Sequence, residues 1–333
     1  MASLRDYYDE KDSGLLFSII IAAFIIANFL MYSIAGFIGG AMGIAEENIL
    51  KDAFLKWFIQ GGMYILLALV VLVYFKGAKL NIVKSNGLNV RFKLIDYLML
   101  IVIAGGMFLT LLIVNYFYSF FLQEIGYVSN SISFDINNAG TFIAAIFIMC
   151  ILPAVVEETV FRGAALNGFS KVFSARWAIV LSALLFMLMH MNIPQFVNAF
   201  LCGLILAVLA KKTGSIIPGM IVHFINNFII VLISFIASFG PDSASSEKII
   251  IDAETVLALL LLASIGAGLL TAGLIYIYKK VKNKAKPEDD LDDSYLKEFN
   301  ITNGGITGRL KSILYALTGI VLAIAMTILN LVL

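Results

Sequence analysis

Histidine and cysteine are nearly missing from these 333 residues. There are two of each, with five prolines, two tryptophans and only 14% charged residues. Soluble domains carry roughly a quarter charged residues, so this poverty of charge excludes an ordinary soluble fold. Cys150 and Cys202 both lie in apolar runs. Two such cysteines exclude a disulfide framework and a multi-cysteine zinc motif, and each reads as a small core hydrophobe. No Gly-x-Ser-x-Gly and no His-Glu-x-x-His occurs, which removes two common hydrolase signatures. The net charge is only +1, and the basic residues sit in the connections between apolar runs, so no nucleic-acid partner is expected. The first 14 residues carry Asp6, Asp9, Glu10 and Asp12. The apolar run after them is too long for a cleavable signal.

What is abundant is apolar sequence: 61% hydrophobic residues and a mean hydropathy of +0.98. A bilayer is crossed by roughly 20 apolar residues in a helix. That rule predicts spans near 15–42, 54–75, 94–122, 140–169, 177–191, 194–210, 215–239, 254–278 and 312–333. The fold class is therefore all-α, a polytopic helical transmembrane protein with the lipid bilayer as its first partner. Residues 1–139 hold three spans, 140–240 hold four that carry the polar motifs, and 241–278 hold the eighth. Residues 279–311 read as a charged linker and 312–333 as a C-terminal span. The fifth and sixth spans are short and joined by Asn192-Ile193-Pro194, which suits a hairpin that does not fully cross. Twenty of the 23 lysines and arginines fall on one side of this arrangement, and residues 123–138 hold none. The excess of positive charge marks the cytoplasmic side. A multi-pass cell-membrane protein with a cytoplasmic N-terminus follows.

Ionisable groups inside a span cost several kcal/mol unless compensated, which makes them functional candidates by default. The fourth span carries Glu157-Glu158-Thr159-Val160-Phe161-Arg162, the fifth ends at His190, and the seventh carries His223 and Asn227. At ~1.5 Å per residue, counted from the expected cytoplasmic ends, Glu157, His190, His223 and Asn227 lie ~12–20 Å deep. That matched depth predicts one shared cavity, open to the cytoplasmic side. Glu158 and Arg162 are four apart and suit an ion pair. Phe186 and His190 share a face in the same way, as do His223 and Asn227. A carboxylate sheltered from water is a usable general base. An imidazole helps to position water, and two further donors stabilise a tetrahedral oxyanion. The bland readings are a structural ion pair for Glu158–Arg162 and satisfied core residues for the histidines. A thiol nucleophile at Cys150, two turns before Glu157, is a further reading.

Glu-Glu-x-x-x-Arg at Glu157, Glu158 and Arg162, Phe-x-x-x-His at Phe186 and His190, and His-x-x-x-Asn at His223 and Asn227 occur in that order on successive spans. In this, residues 140–240 resemble the CAAX protease and bacteriocin-processing family, also called Abi, which includes the type II CAAX prenyl endopeptidase. The resemblance implies an eight-helix intramembrane protease core to which the ninth span is an addition. It implies that Glu157 with His190 activates water and that His223 with Asn227 forms the oxyanion hole. Glu158, Arg162 and Phe186 would support them. It also implies a membrane-associated peptide or protein substrate, prenylated or leader-bearing. No cofactor is expected. In the zinc-protease alternative, His190, His223 and Glu157 would be the ligands. In the non-enzymatic alternative, an immunity protein or chaperone keeps the fold without needing Glu157.

Overall fold

The computed structural model describes residues 4–127, 134–240, 249, 251–284 and 306–332. Nine principal helices appear where the apolar runs place them. They are α1 Glu10–Ala41, α2 Ala53–Gly77, α3 Leu94–Glu124, α4 Ala139–Phe169, α5 Ala175–Met189, α6 Ile193–Thr213, α7 Ile217–Ala237, α8 Ala253–Lys284 and α9 Ile306–Val332. Among the described residues there is no strand, only an isolated bridge between Arg5 and Leu80. Most of the charged linker, residues 285–305, lies outside the described residues.

The helix ends follow local chemistry. Asp52 caps α2 by accepting from the Leu55 N–H at 2.9 Å, and Asn138 caps α4 by accepting from Thr141 N–H at 3.0 Å. Each satisfies an orphan donor of a first turn. Pro194 and Pro218 stand in the first turns of α6 and α7, where a missing N–H costs nothing.

All but α5 are long and apolar enough to cross a membrane. At about 1.5 Å per residue, the 15 residues of α5 reach ~22 Å, short of a ~30 Å hydrocarbon core. The expectation of a non-crossing element thus applies to α5. It does not apply to α6, which has 21 residues. Large apolar side chains such as Phe29, Phe37, Val73 and Leu257 point outward, as a lipid-facing surface requires.

The helices alternate between two faces. On one, Arg5 N–H donates to the Lys79 carbonyl at 2.7 Å, Lys84 pairs with Asp6 at 2.8 Å, and Lys280 pairs with Asp96. This is the basic face. On the opposite face, Lys56 pairs with Asp135 at 3.4 Å and Gln123 donates to the Ile249 carbonyl at 3.1 Å. The largest core cluster runs from Leu16, Phe17, Phe75, Phe161 and Phe169, nearer the basic face, to Met189 and Met191.

The ninth helix is built into this bundle. A side chain at Gly14 would come 2.4 Å from the Ala316 nitrogen, so only glycine lets α9 approach α1 this closely. Ser18 Oγ donates to the Tyr315 carbonyl at 2.6 Å and accepts from Gly319 N–H at 3.0 Å.

Candidate functional site

The carboxylates are positioned by an irregular α4. π-Helical stretches Ile146–Ile151 and Thr159–Ala165 flank the α-helical Leu152–Glu158. Such stretches re-aim the residues beside them. Pro153 has no N–H to give, and the Met149 carbonyl, its partner in a regular α-helix, accepts from Asn227 Nδ2 at 3.0 Å. One proline in α4 thereby fixes the asparagine of α7.

Glu157 and Glu158 face different surroundings. Glu158 is fully buried, and its Oε1 accepts from Arg162 Nη1 at 2.7 Å and from His223 Nδ1–H at 3.1 Å. A side chain on Gly219 would sit 2.5 Å from Glu158 Oε2, so α7 closes over this carboxylate only with glycine there. Arg162, 1% exposed, also donates from Nη2 to the Gly203 carbonyl at 3.3 Å, and its guanidinium lies 4.3 Å from the Phe186 ring centre. Phe186 in turn meets His190 edge-on at 4.9 Å and His223 at 5.9 Å. The pair expected from i,i+4 spacing is present, His223 joins it directly through Glu158, and Phe186 packs against Arg162 and both imidazoles.

Glu157 instead looks into a cavity of about 460 Å³ that His190, His223 and Asn227 also line. Its Oε1 accepts from the Tyr64 hydroxyl at 2.8 Å, and its Oε2 lies 3.8 Å from His223 Nε2. That separation is too long for a direct hydrogen bond and suits one shared water. His190 Nδ1–H donates to the Phe186 carbonyl at 2.9 Å. In the neutral ring this leaves the Nε2 lone pair for the cavity. The turn after it is held in an unusual way. Met191 has φ +46°, a strained value for a non-glycine residue, and its carbonyl accepts from Asn330 Nδ2 of α9 at 3.0 Å. The structure thus brings the four predicted residues to one cavity, with Phe186 also in its lining and Glu158 and Arg162 behind it.

Toward the basic face, where the depth count predicts the opening, α4 is packed. On α4 the cavity is lined by Met149, Pro153 and Glu157, and residues 156–166 beyond are all buried. The packed half of the bundle closes the way to the basic face. Counting depth along spans cannot register this, because it contains no side-chain packing.

Sequence reasoning passed over Tyr64 and a set of amides. Asn28, Gln60, Gln195, Asn198 and Asn226 line the same cavity. The signal was available: Gln60 and Tyr64 are four apart in an apolar span, on one helix face, and an amide within a span needs a partner or a wet surface. Cys202 also lines the cavity, whereas Cys150 is fully buried away from it.

A family model described as type II CAAX prenyl endopeptidase Rce1-like matches residues 139–229. The match runs from the start of α4 through most of α7 and contains all seven residues singled out by the motifs. Tyr64, Asn28, Gln60 and Asn330 lie outside it. No curated protein and no solved structure matches the chain.

Proposed function

We propose that this membrane protein, with its Rce1-like segment at residues 139–229, is an intramembrane endopeptidase whose general base is Glu157. The observation that carries the reading is the setting of Glu157. Its carboxylate is buried, held at one oxygen by Tyr64, and faces His223 at the other across a cavity shared with His190 and Asn227. Water held among Glu157, His190 and His223 gives its proton to Glu157 as its oxygen attacks the scissile carbonyl carbon. The oxyanion so formed is held by the second Asn227 N–H, since the first is committed to Met149, and by His223 Nε2. His223 has its Nδ1–H on Glu158, so it donates from Nε2 only when doubly protonated. Collapse of the intermediate breaks the C–N bond and passes the proton from Glu157 to the leaving amine.

The reading takes no metal. Among the described residues no group of three His, Cys, Asp or Glu side chains is placed to hold an ion. A zinc site needs its donors near ~2 Å from one point.

Two substitutions test the assigned roles, with activity normalised to folded protein. Asn227→Ala is expected to lower kcat by ~10²–10³-fold with little change in KM, because an oxyanion donor acts only in the transition state. A normal kcat with a lowered Tm would assign Asn227 to packing against Met149. Tyr64→Phe removes a hydrogen bond to a charged group, worth about 1.5–3 kcal/mol. Turnover is expected to fall ~10–100-fold, again in kcat. Unchanged steady-state kinetics would detach Tyr64 from the base.

A further inference from the structure

We infer that the cavity takes its substrate from the extracytoplasmic half of the membrane, as an uncharged peptide segment entering past Gln195 and Ile230. This rests on the protease reading for the word substrate, but its geometry stands without it.

The first observation is where the cavity is open. Of its lining side chains only Gln195 and Ile230 are exposed, Ile230 at 47%. Gln195 is in the first turn of α6, beside the Met191 turn, at the end remote from the basic face. Ile230 is on the stretch of α7 beyond His223, on the same side of the site. The second observation is what closes the other end. Val160, Phe161, Ala164, Ala165 and Leu166 of α4 are all 1% exposed or less, and the main core cluster surrounds them. A peptide coming from the basic face would have to open the best-packed part of the molecule.

The third observation orients the bundle. Twenty of the 23 lysines and arginines belong by sequence to the basic face. Setting Arg162 aside, because it is buried beside Glu158, leaves the asymmetry overwhelming. Positive charge is retained on the cytoplasmic side. The open end therefore faces outward, and its mouth at Ile230 lies on a helix flank among exposed apolar side chains such as Ile233 and Ile236. A segment already in the bilayer, or arriving from outside, has a direct path. A cytoplasmic peptide tail has none.

The lining chemistry names the class of segment. Glu157 is the acidic residue of the lining, and among the described residues no lysine or arginine contributes to it. Amides such as Gln60, Asn198 and Asn226 offer both donors and acceptors to an extended backbone. Met63, Met107 and Met189 offer an adaptable apolar surface. A carboxylate drawn in beside Glu157 would meet like charge, and a protonated His223 there is already shared between Glu157 and Glu158.

The experiment labels the full chain with a membrane-impermeant maleimide in intact cells. Cys150 and Cys202 are replaced by alanine, and single cysteines are introduced as Gln195→Cys, Ile230→Cys or, on the basic face, Lys84→Cys. Gln195→Cys and Ile230→Cys are expected to react in intact cells, and Lys84→Cys only after permeabilisation. The reverse pattern, or Gln195→Cys and Ile230→Cys reacting only after permeabilisation, would overturn the inference. Labelling needs no hydrolysis, so a failure of the protease reading leaves this result intact and distinguishable. For a peptide that the reconstituted protein cleaves, Asp next to the scissile bond is expected to lower kcat/KM about tenfold or more relative to Asn, since juxtaposed like charges disfavour binding. Equal turnover would overturn the requirement for an uncharged segment.

Discussion

Glu157→Gln is expected to abolish peptide hydrolysis while leaving insertion and thermal stability near those of the parent. Glutamine keeps the shape of the side chain, and its Oε1 still accepts from the Tyr64 hydroxyl that now sits 2.8 Å from the carboxylate. What it loses is the ability to take a proton. Loss of a single general base costs roughly 10²–10⁴-fold, and more here, because the same group also fixes the water opposite His223. The fold has little at stake at this position. The buried charge balance of the bundle runs through Glu158 and Arg162, and Glu157 is 3.8 Å from His223 without a direct bond. The measurement is single-turnover cleavage in detergent or proteoliposomes, paired with a melting curve. Parent-like cleavage by purified Glu157→Gln would remove the assigned base and revive a thiol or metal mechanism. Loss of cleavage together with a collapsed melting curve would point to a structural role.

Much of this was legible in the sequence, for a physical reason. A bilayer makes length and hydropathy decisive, so nine apolar runs give nine principal helices among the described residues. It also makes ionisable residues in a span conspicuous, so Glu157, His190 and His223 stood out, and Asn227 with them by its spacing from His223. Three features were not legible. The π-helical stretches around Leu152–Glu158 change which way the carboxylates point, and regular periodicity misses them. The Asn330–Met191 contact joins positions 139 residues apart, and no local pattern announces it. The closed end of the cavity depends on how Phe161, Phe169 and Phe75 pack together. Each of these is an ordinary apolar residue in an apolar span. Tyr64 is a different case. It lies outside the stretch that resembles a family; its spacing from Gln60 was a signal, but its partner Glu157 shows only in the hydroxyl contact at 2.8 Å.

Arg162→Ala is expected to destabilise the protein by about 3–5 kcal/mol, the usual result of leaving one member of a buried ion pair without its partner. Glu158 would then be fully buried with its charge offset by His223 alone, and Oε2 already has no hydrogen-bond partner among the described residues. The cation–π contact with Phe186 is lost as well. Stability alone does not reveal what the pair is for, and a second variant separates the two possibilities. Replacing both partners with apolar side chains of similar volume, as in Glu158→Leu with Arg162→Met, is often neutral or stabilising for a buried pair, so the melting temperature should largely recover. Activity should not recover with it. His223 Nδ1–H would have lost its acceptor, leaving the ring free to turn and Nε2 no longer aimed at the cavity. The expected signature is a double variant that folds like the parent and turns over slowly, with the defect in kcat. A double variant both stable and fully active would show that the pair serves packing alone, and that His223 finds its orientation from Phe186.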